Sequence, residues 1–78
     1  MMTLDIISPE KILYKGPAEL VTLPGLQGGF TILQRHAPII SGLDKGKLVY
    51  RNAGKEVAIK IDGGFVEAKN DMVMICIE

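Results

Sequence analysis

Seventy-eight residues, nine of them basic and nine acidic, with an apolar fraction of 47%, describe one small domain of zero net charge with enough apolar material for a core. Balanced charge without like-charge runs argues against a nucleic-acid footprint or a polybasic membrane patch. The lone cysteine, Cys76, rules out an internal disulfide frame, and no apolar stretch approaches the ~20 residues that cross a bilayer. The opening Met1-Met2-Thr3-Leu4-Asp5 lacks the layout of a signal peptide. The expectation is a soluble intracellular domain of thin stability margin, held at a membrane, if at all, by other subunits.

Glycine and proline punctuate the chain every few residues, and short runs rich in Val, Ile, Leu and Thr lie between them, which predicts strands and almost no helix. In chain order the strands fall near Thr3–Ser8, Lys11–Lys15, Ala18–Leu23 and Gly29–Leu33. The next segment, from His36 to Leu43, is an apolar run interrupted by Pro38. Proline keeps Ala37 out of the helical region and cannot itself sit in a central strand. A loop entering an edge strand or a single helical turn both satisfy it. Lys47–Arg51 and Glu56–Asp62 follow, joined by Asn52-Ala53-Gly54, a hairpin in which glycine supplies positive φ. In Glu56–Asp62 the alternation is clean, with Val57, Ile59 and Ile61 expected toward a core and Glu56, Ala58, Lys60 and Asp62 toward water. Phe65–Lys69 and Met72–Ile77 close the chain around a tight Asn70-Asp71 turn. Many short strands with regular turns mean an all-β sandwich or flattened barrel.

The last strand breaks the alternation, because every position from Met72 to Ile77 is apolar. If Val73, Ile75 and Ile77 fill the core, then Met72, Met74 and Cys76 point outward. Either loops of this chain cover that outer set, or another subunit does, a role that flexible methionine suits.

Residues that could carry chemistry are few. His36 is the single histidine, without the neighbours a metal site or a catalytic base requires, and reads as a loop-ordering side chain. Gly25-Leu26-Gln27-Gly28-Gly29 lacks the Lys and Ser/Thr of a phosphate loop and reads as a hairpin, as does Gly63-Gly64. Cys76, in an apolar run, reads as a small hydrophobe. No catalytic residue, cofactor or metal is expected. Two binding alternatives remain. Glu67-Ala68-Lys69-Asn70 has some likeness to the acceptor turn of a biotinyl or lipoyl carrier domain, with Lys69 modified, although only nine residues follow it. An oligonucleotide-binding barrel is disfavoured by the scarcity of aromatic stacking platforms.

From end to end the chain resembles the N-terminal domain of the ATP synthase epsilon subunit, called delta in mitochondrial enzymes. The features that carry the resemblance occur in order: Leu4-Asp5-Ile6-Ile7-Ser8-Pro9-Glu10, Leu13-Tyr14-Lys15-Gly16, Val21-Thr22-Leu23-Pro24-Gly25, Gly28-Gly29-Phe30-Thr31-Ile32-Leu33, His36-Ala37-Pro38-Ile39-Ile40-Ser41, Lys45-Gly46-Lys47-Leu48 and Gly63-Gly64-Phe65-Val66-Glu67-Ala68. The resemblance implies a β-sandwich of two five-stranded antiparallel sheets spanning residues 1–78. It further implies a non-catalytic rotor subunit at the cytoplasmic face of the bacterial inner membrane, joining the gamma subunit to the c-subunit ring and so coupling proton transport to ATP synthesis. Neither nucleic acid nor direct membrane insertion enters that picture. It places Gly29, Phe30, Thr31, Ile32, His36, Ala37 and Pro38 at the ring-facing end and favours subunit contact for Met72 and Met74. Two departures stand out. Gly29 occupies a position that is acidic in many members, and Gln34-Arg35 stands where Pro-Asn or Pro-Gly usually precedes the histidine. The family usually continues into a two-helix hairpin, whereas this sequence stops at Glu78, and a natural short form is the expectation.

Overall fold

The computed structural model describes residues 1–78 as nine strands: β1 (Met2–Ile7), β2 (Ile12–Ala18), β3 (Leu20–Gly25), β4 (Gly28–Leu33), β5 (Ile39–Leu43), β6 (Gly46–Asn52), β7 (Lys55–Ile61), β8 (Gly64–Lys69) and β9 (Met72–Ile77). They form one curled sheet in the order β2-β1-β9-β8-β5-β3-β6-β7, with β4 attached to β3. Five strands make one half of the curl and four the other. The halves are joined thinly at one corner, where Gly25 of β3 faces Leu43 of β5. Backbone bonds from Leu26 N–H to the Gly42 carbonyl (3.1 Å) and from Asp44 N–H to the Pro24 carbonyl (2.7 Å) secure that corner. At the opposite side β2 approaches β6. There the Tyr14 and Tyr50 rings pack at 4.4 Å, and Asn52 Nδ2 donates to Tyr14 Oη at 3.4 Å. Burial, and after it the neighbouring Tyr14 hydroxyl, raise the Tyr50 pKa above its ordinary value.

Period-two alternation drives the inward packing. Met2, Leu4 and Ile6 of β1, Val73, Ile75 and Ile77 of β9, and Val66 and Ala68 of β8 fill the core from one half. Val21 and Leu23 of β3, Ile32 of β4, and Leu48 and Tyr50 of β6 meet them from the other. Removing one of the larger side chains, Leu4 or Ile75 for example, would cost about 2–5 kcal/mol, a large part of a small domain's stability. Two-residue hairpins pin the register. Asn70 and Asp71 sit at φ 52° and 60° between the paired Lys69 and Met72, and Ala53 and Gly54 at 53° and 75° between Asn52 and Lys55. Glu19 braces the second hairpin, accepting from Gly54 N–H at 3.0 Å. Its carboxylate also lies 3.4 Å from Arg51 Nε, close enough for charge attraction but not aligned as a hydrogen bond.

The architecture departs from the sequence expectation in three ways, and decides one alternative that the sequence left open. The sheet is one continuous nine-stranded surface, not two five-stranded sheets, because β3 and β5 bridge the halves. It is not wholly antiparallel either, since β1 and β9 run parallel along five paired positions. Of the two readings left open around Pro38, the loop entering a strand is the one realised: β5 pairs with β8 from Ile39 to Leu43. Pro38 stands just before it, where a missing N–H costs nothing. On β7 the alternation is correct but burial fades along the strand. Ile61 is buried, Ile59 half-buried, and Val57 is 42% exposed, because β7 is an edge strand running off the end of the core.

Candidate docking surfaces

The outer face of the five-stranded half is built by the same alternation that builds the core. With Val73, Ile75 and Ile77 inward, β9 turns Met72, Met74 and Cys76 outward. Met72 is 53% exposed and Met74 40%, so the loops of this chain do not cover them. β9 lies between β8 and β1. Register then aligns the outward residues of neighbouring strands into rows. One row runs Phe65, Cys76, Ile7, Ile12 across β8, β9, β1 and β2, and is apolar throughout. The next runs Ile40, Glu67, Met74, Asp5, Lys15. A third carries Lys69, Met72, Thr3 and Pro17. Leu26 extends the apolar row at the corner, folded over Gly42, where an added Cβ would lie 2.5 Å from a Leu26 methyl. Exposed Phe65, Ile12, Ile40 and the two methionines on one continuous surface exceed the scattered apolar residues of an ordinary surface.

Sequence reasoning turned Met72 and Met74 outward but did not join Phe65, Ile12, Ile7 or Ile40 to the same face. A signal existed for Phe65: in β8 the other outward residues, Glu67 and Lys69, are charged, so a phenylalanine in the same phase stands out. The row as a whole could not be read, because it joins strands distant in sequence through pairings that only the fold defines.

The residues expected at the other surface are spread along β4 and beyond it. Gly29 is exposed beside the β3–β4 turn, paired with Pro24. Phe30 is half-buried against the core. Thr31 is exposed, its hydroxyl 2.9 Å from that of Thr22. Ile32 is 1% exposed and belongs to the core, so its side chain is not available to a partner, contrary to expectation. The alternation explains this: Ile32 faces inward on the strand that presents Thr31 and Leu33 outward. His36 follows the turn at the far end of β4, about 14 Å of strand away from Gly29. Its Nδ1–H donates to the Ala37 carbonyl at 3.0 Å, while Nε2 is buried without a partner. Ala37 and Pro38 are exposed. A strand, not a single loop, therefore connects Gly29 to His36. Between β4 and β5 lies an open cleft of about 340 Å³ bordered by Gly25, Gly29, Phe30, Ile39 and Ser41.

The family described as ATP synthase, Delta/Epsilon chain, beta-sandwich domain matches residues 1–78. The chain belongs to it. The ATP synthase epsilon chain of Leptospira borgpetersenii serovar Hardjo-bovis (strain JB197) is 43% identical over 74 residues, covering 95% of this chain and 58% of that protein. That of Brevibacillus brevis is 37% identical over 78 residues, covering 99% of this chain and 59% of the relative. The chain thus spans a little over half the length of the curated relatives it matches. Among solved structures, a chain of the Euglena gracilis mitochondrial ATP synthase (OSCP/F1/c-ring in rotational state 1) superposes with a TM-score of 0.89 at 24% identity, covering 97% of this chain and 49% of that one. A chain of the Tetrahymena thermophila mitochondrial ATP synthase central stalk and c ring gives 0.82 at 17%, covering 97% and 62%. At such identities these two establish the fold. The family match leaves the carrier-domain alternative unsupported; Lys69 merely closes β8 beside the Asn70-Asp71 turn.

Proposed function

We propose that this delta/epsilon β-sandwich is the rotor-joint domain of an F-type ATP synthase. It binds the gamma subunit and the c-subunit ring, so that torque from proton flow reaches the catalytic head, and contributes no catalytic residue of its own. The observation that carries the reading is the uncovered apolar outer face of β8, β9, β1 and β2 in a member of this family. Apolar area at the centre of a patch with polar residues around it is what a lasting subunit interface needs. We assign that face to gamma. The end carrying Gly29 and Thr31, together with the exposed Ala37 and Pro38, is assigned to the ring, where neutral Gly29 leaves shape and backbone bonding to make the contact. Exposed ion pairs contribute only about 0–1 kcal/mol each, so their absence there is tolerable in an assembly also held through gamma. The complex would place the domain at the cytoplasmic face of a bacterial inner membrane. The test is reconstitution. The purified chain, mixed with the gamma subunit and detergent-solubilised c ring, should elute with both as one complex. Elution of the chain alone refutes the assignment.

A further inference from the structure

In the middle of the proposed gamma-binding face sits a carboxylate with nothing to bind. Asp5 lies on β1, its outward neighbours being Met74 on β9 and Lys15 on β2. Its Oδ1 is fully covered and has no hydrogen-bond partner. Lys15 stands opposite but forms no ion pair; the chain's one ion pair is Arg51 with Glu19. A covered acceptor without a donor is uncommon in a settled protein and asks for an explanation. Its register neighbours on the outer face are Met74 and Lys15, so the second carboxylate oxygen is the one left open to whatever docks there. Glu67, on the far side of Met74, adds a second negative charge to the same row, two strands or about 10 Å away.

Docking would make the demand sharper. An apolar partner surface laid over Met72, Met74, Cys76 and Phe65 removes the water that still reaches the rest of the Asp5 carboxylate. A carboxylate desolvated without a donor opposes binding strongly, whereas one met by a cationic donor supplies both affinity and register. Resting on the reading of this face as the gamma-docking surface, we propose that Asp5 is its polar anchor and receives a basic side chain set in the partner's apolar surface. An arginine suits the site best. Its several N–H donors can meet the open carboxylate oxygen, and its weak hydration makes burial tolerable. Lys15 is the internal competitor, but it is exposed, and its strongly hydrated ammonium gains less from entering an apolar contact.

The experiment measures affinity for the purified gamma subunit at low and moderate salt, beside the melting of each free protein, for the unmodified chain, Asp5→Asn and Lys15→Met. Asp5→Asn keeps the shape and removes the charge. It should melt as the unmodified chain does or slightly higher, bind gamma roughly ten- to a hundred-fold more weakly, and lose most of the salt sensitivity of binding. Lys15→Met should bind as tightly as before or more tightly. Asp5→Ser, short and neutral, should repeat the loss if the amide disturbs β1. Affinity for gamma within two-fold of normal in both Asp5 variants overturns the proposal while leaving the docking face intact. A loss of binding in Lys15→Met that matches Asp5→Asn overturns it too, since Lys15 would then be the mate of Asp5. If the unmodified chain does not bind gamma, the docking face itself falls and the anchor with it.

Discussion

Two adjacent residues of β9 should respond in opposite ways to the same substitution. Met74 is 40% exposed on the outer face; Val73 is 2% exposed in the core. In Met74→Lys the long aliphatic stem can lie where methionine lay and carry its ammonium to water. Asp5 and Glu67 flank the position on the neighbouring strands, so the new charge meets opposite charges on both sides. Cross-strand pairs of this kind stabilise by roughly 0.2–1 kcal/mol, so the free domain should melt normally or a little higher. Binding is a different matter. Fully burying a methionine contributes about 1.5–3 kcal/mol, and since 40% of Met74 is still exposed, about 1 kcal/mol is left to be gained on docking. The lysine forfeits that and must bury a charge as well, at a cost of several kcal/mol where it cannot reach water. A total loss of at least about 3 kcal/mol, or more than a hundred-fold in affinity for gamma, is the expected outcome. Val73→Lys buries the charge in the folded domain itself and should leave it unfolded at room temperature. Thermal melts followed by circular dichroism, with a gamma-binding titration, separate the two. A low melt for Met74→Lys, or normal affinity in that variant, would refute the assignment of the outer face.

Three further expectations follow from backbone and burial. Gly64 has φ 146°, and a Cβ there would collide with the Cys76 carbonyl oxygen, so Gly64→Ala should cost at least about 2 kcal/mol, read as a fall of roughly 10 °C in melting temperature. Ala53, left-handed at φ 53° in the β6–β7 hairpin, is strained; Ala53→Asn creates the Asn-Gly pair such turns favour and should raise stability by about 0.5–1 kcal/mol. The raised pKa of Tyr50 means that its neutral form is favoured by folding. Its contribution is complete below the ordinary tyrosine value of about 10 and is lost as pH climbs through the raised folded value. Melting temperature should therefore decline above about pH 10, and the decline should be shallower in Tyr50→Phe, as a series of melts from pH 7 to 11 will reveal.

The parts of the fold that depend on a residue's own strand were legible in the sequence. In Glu56–Asp62 spacing alone announces which residues share a face, and Asn70-Asp71 is a turn on chemistry alone. What depends on a partner strand was not. The extent of β7's burial is set by its place at the edge, so Val57 looked like core and is exposed. The run from Ile39 to Leu43 lacks the alternation of a one-sided strand, and its identity as β5 comes from the hydrogen-bonding row that β8 offers. The same limit governs the docking face. Met72 and Met74 were visible because six consecutive apolar residues cannot all face a core, whereas Ile12 and Phe65 become a surface only through register.

The continuity of the curl bears directly on the proposed role as a rotor joint. A joint passes torque without chemistry, so its useful property is resistance to shear between the surface that binds one partner and the surface that binds the other. In two separate sheets that load would cross only side-chain packing, which slides more readily than a hydrogen-bonded ladder. Here β3 pairs with β4 and β6 in one half and touches β5 in the other, so the strand beside Gly29 and Thr31 is tied through backbone bonds to the strands that display Met74 and Phe65. The narrowest point of that path is the Gly25–Leu43 corner, secured by the two flanking bonds from Leu26 and Asp44. Gly25 has no room for a side chain there, since a Cβ would stand 2.7 Å from both the Gly28 carbonyl oxygen and the Phe30 ring. The corner is thus held close by the same residue that lets β3 and β4 turn, and in the proposed role one place in the fold would set both the stiffness of the joint and the position of the end assigned to the ring.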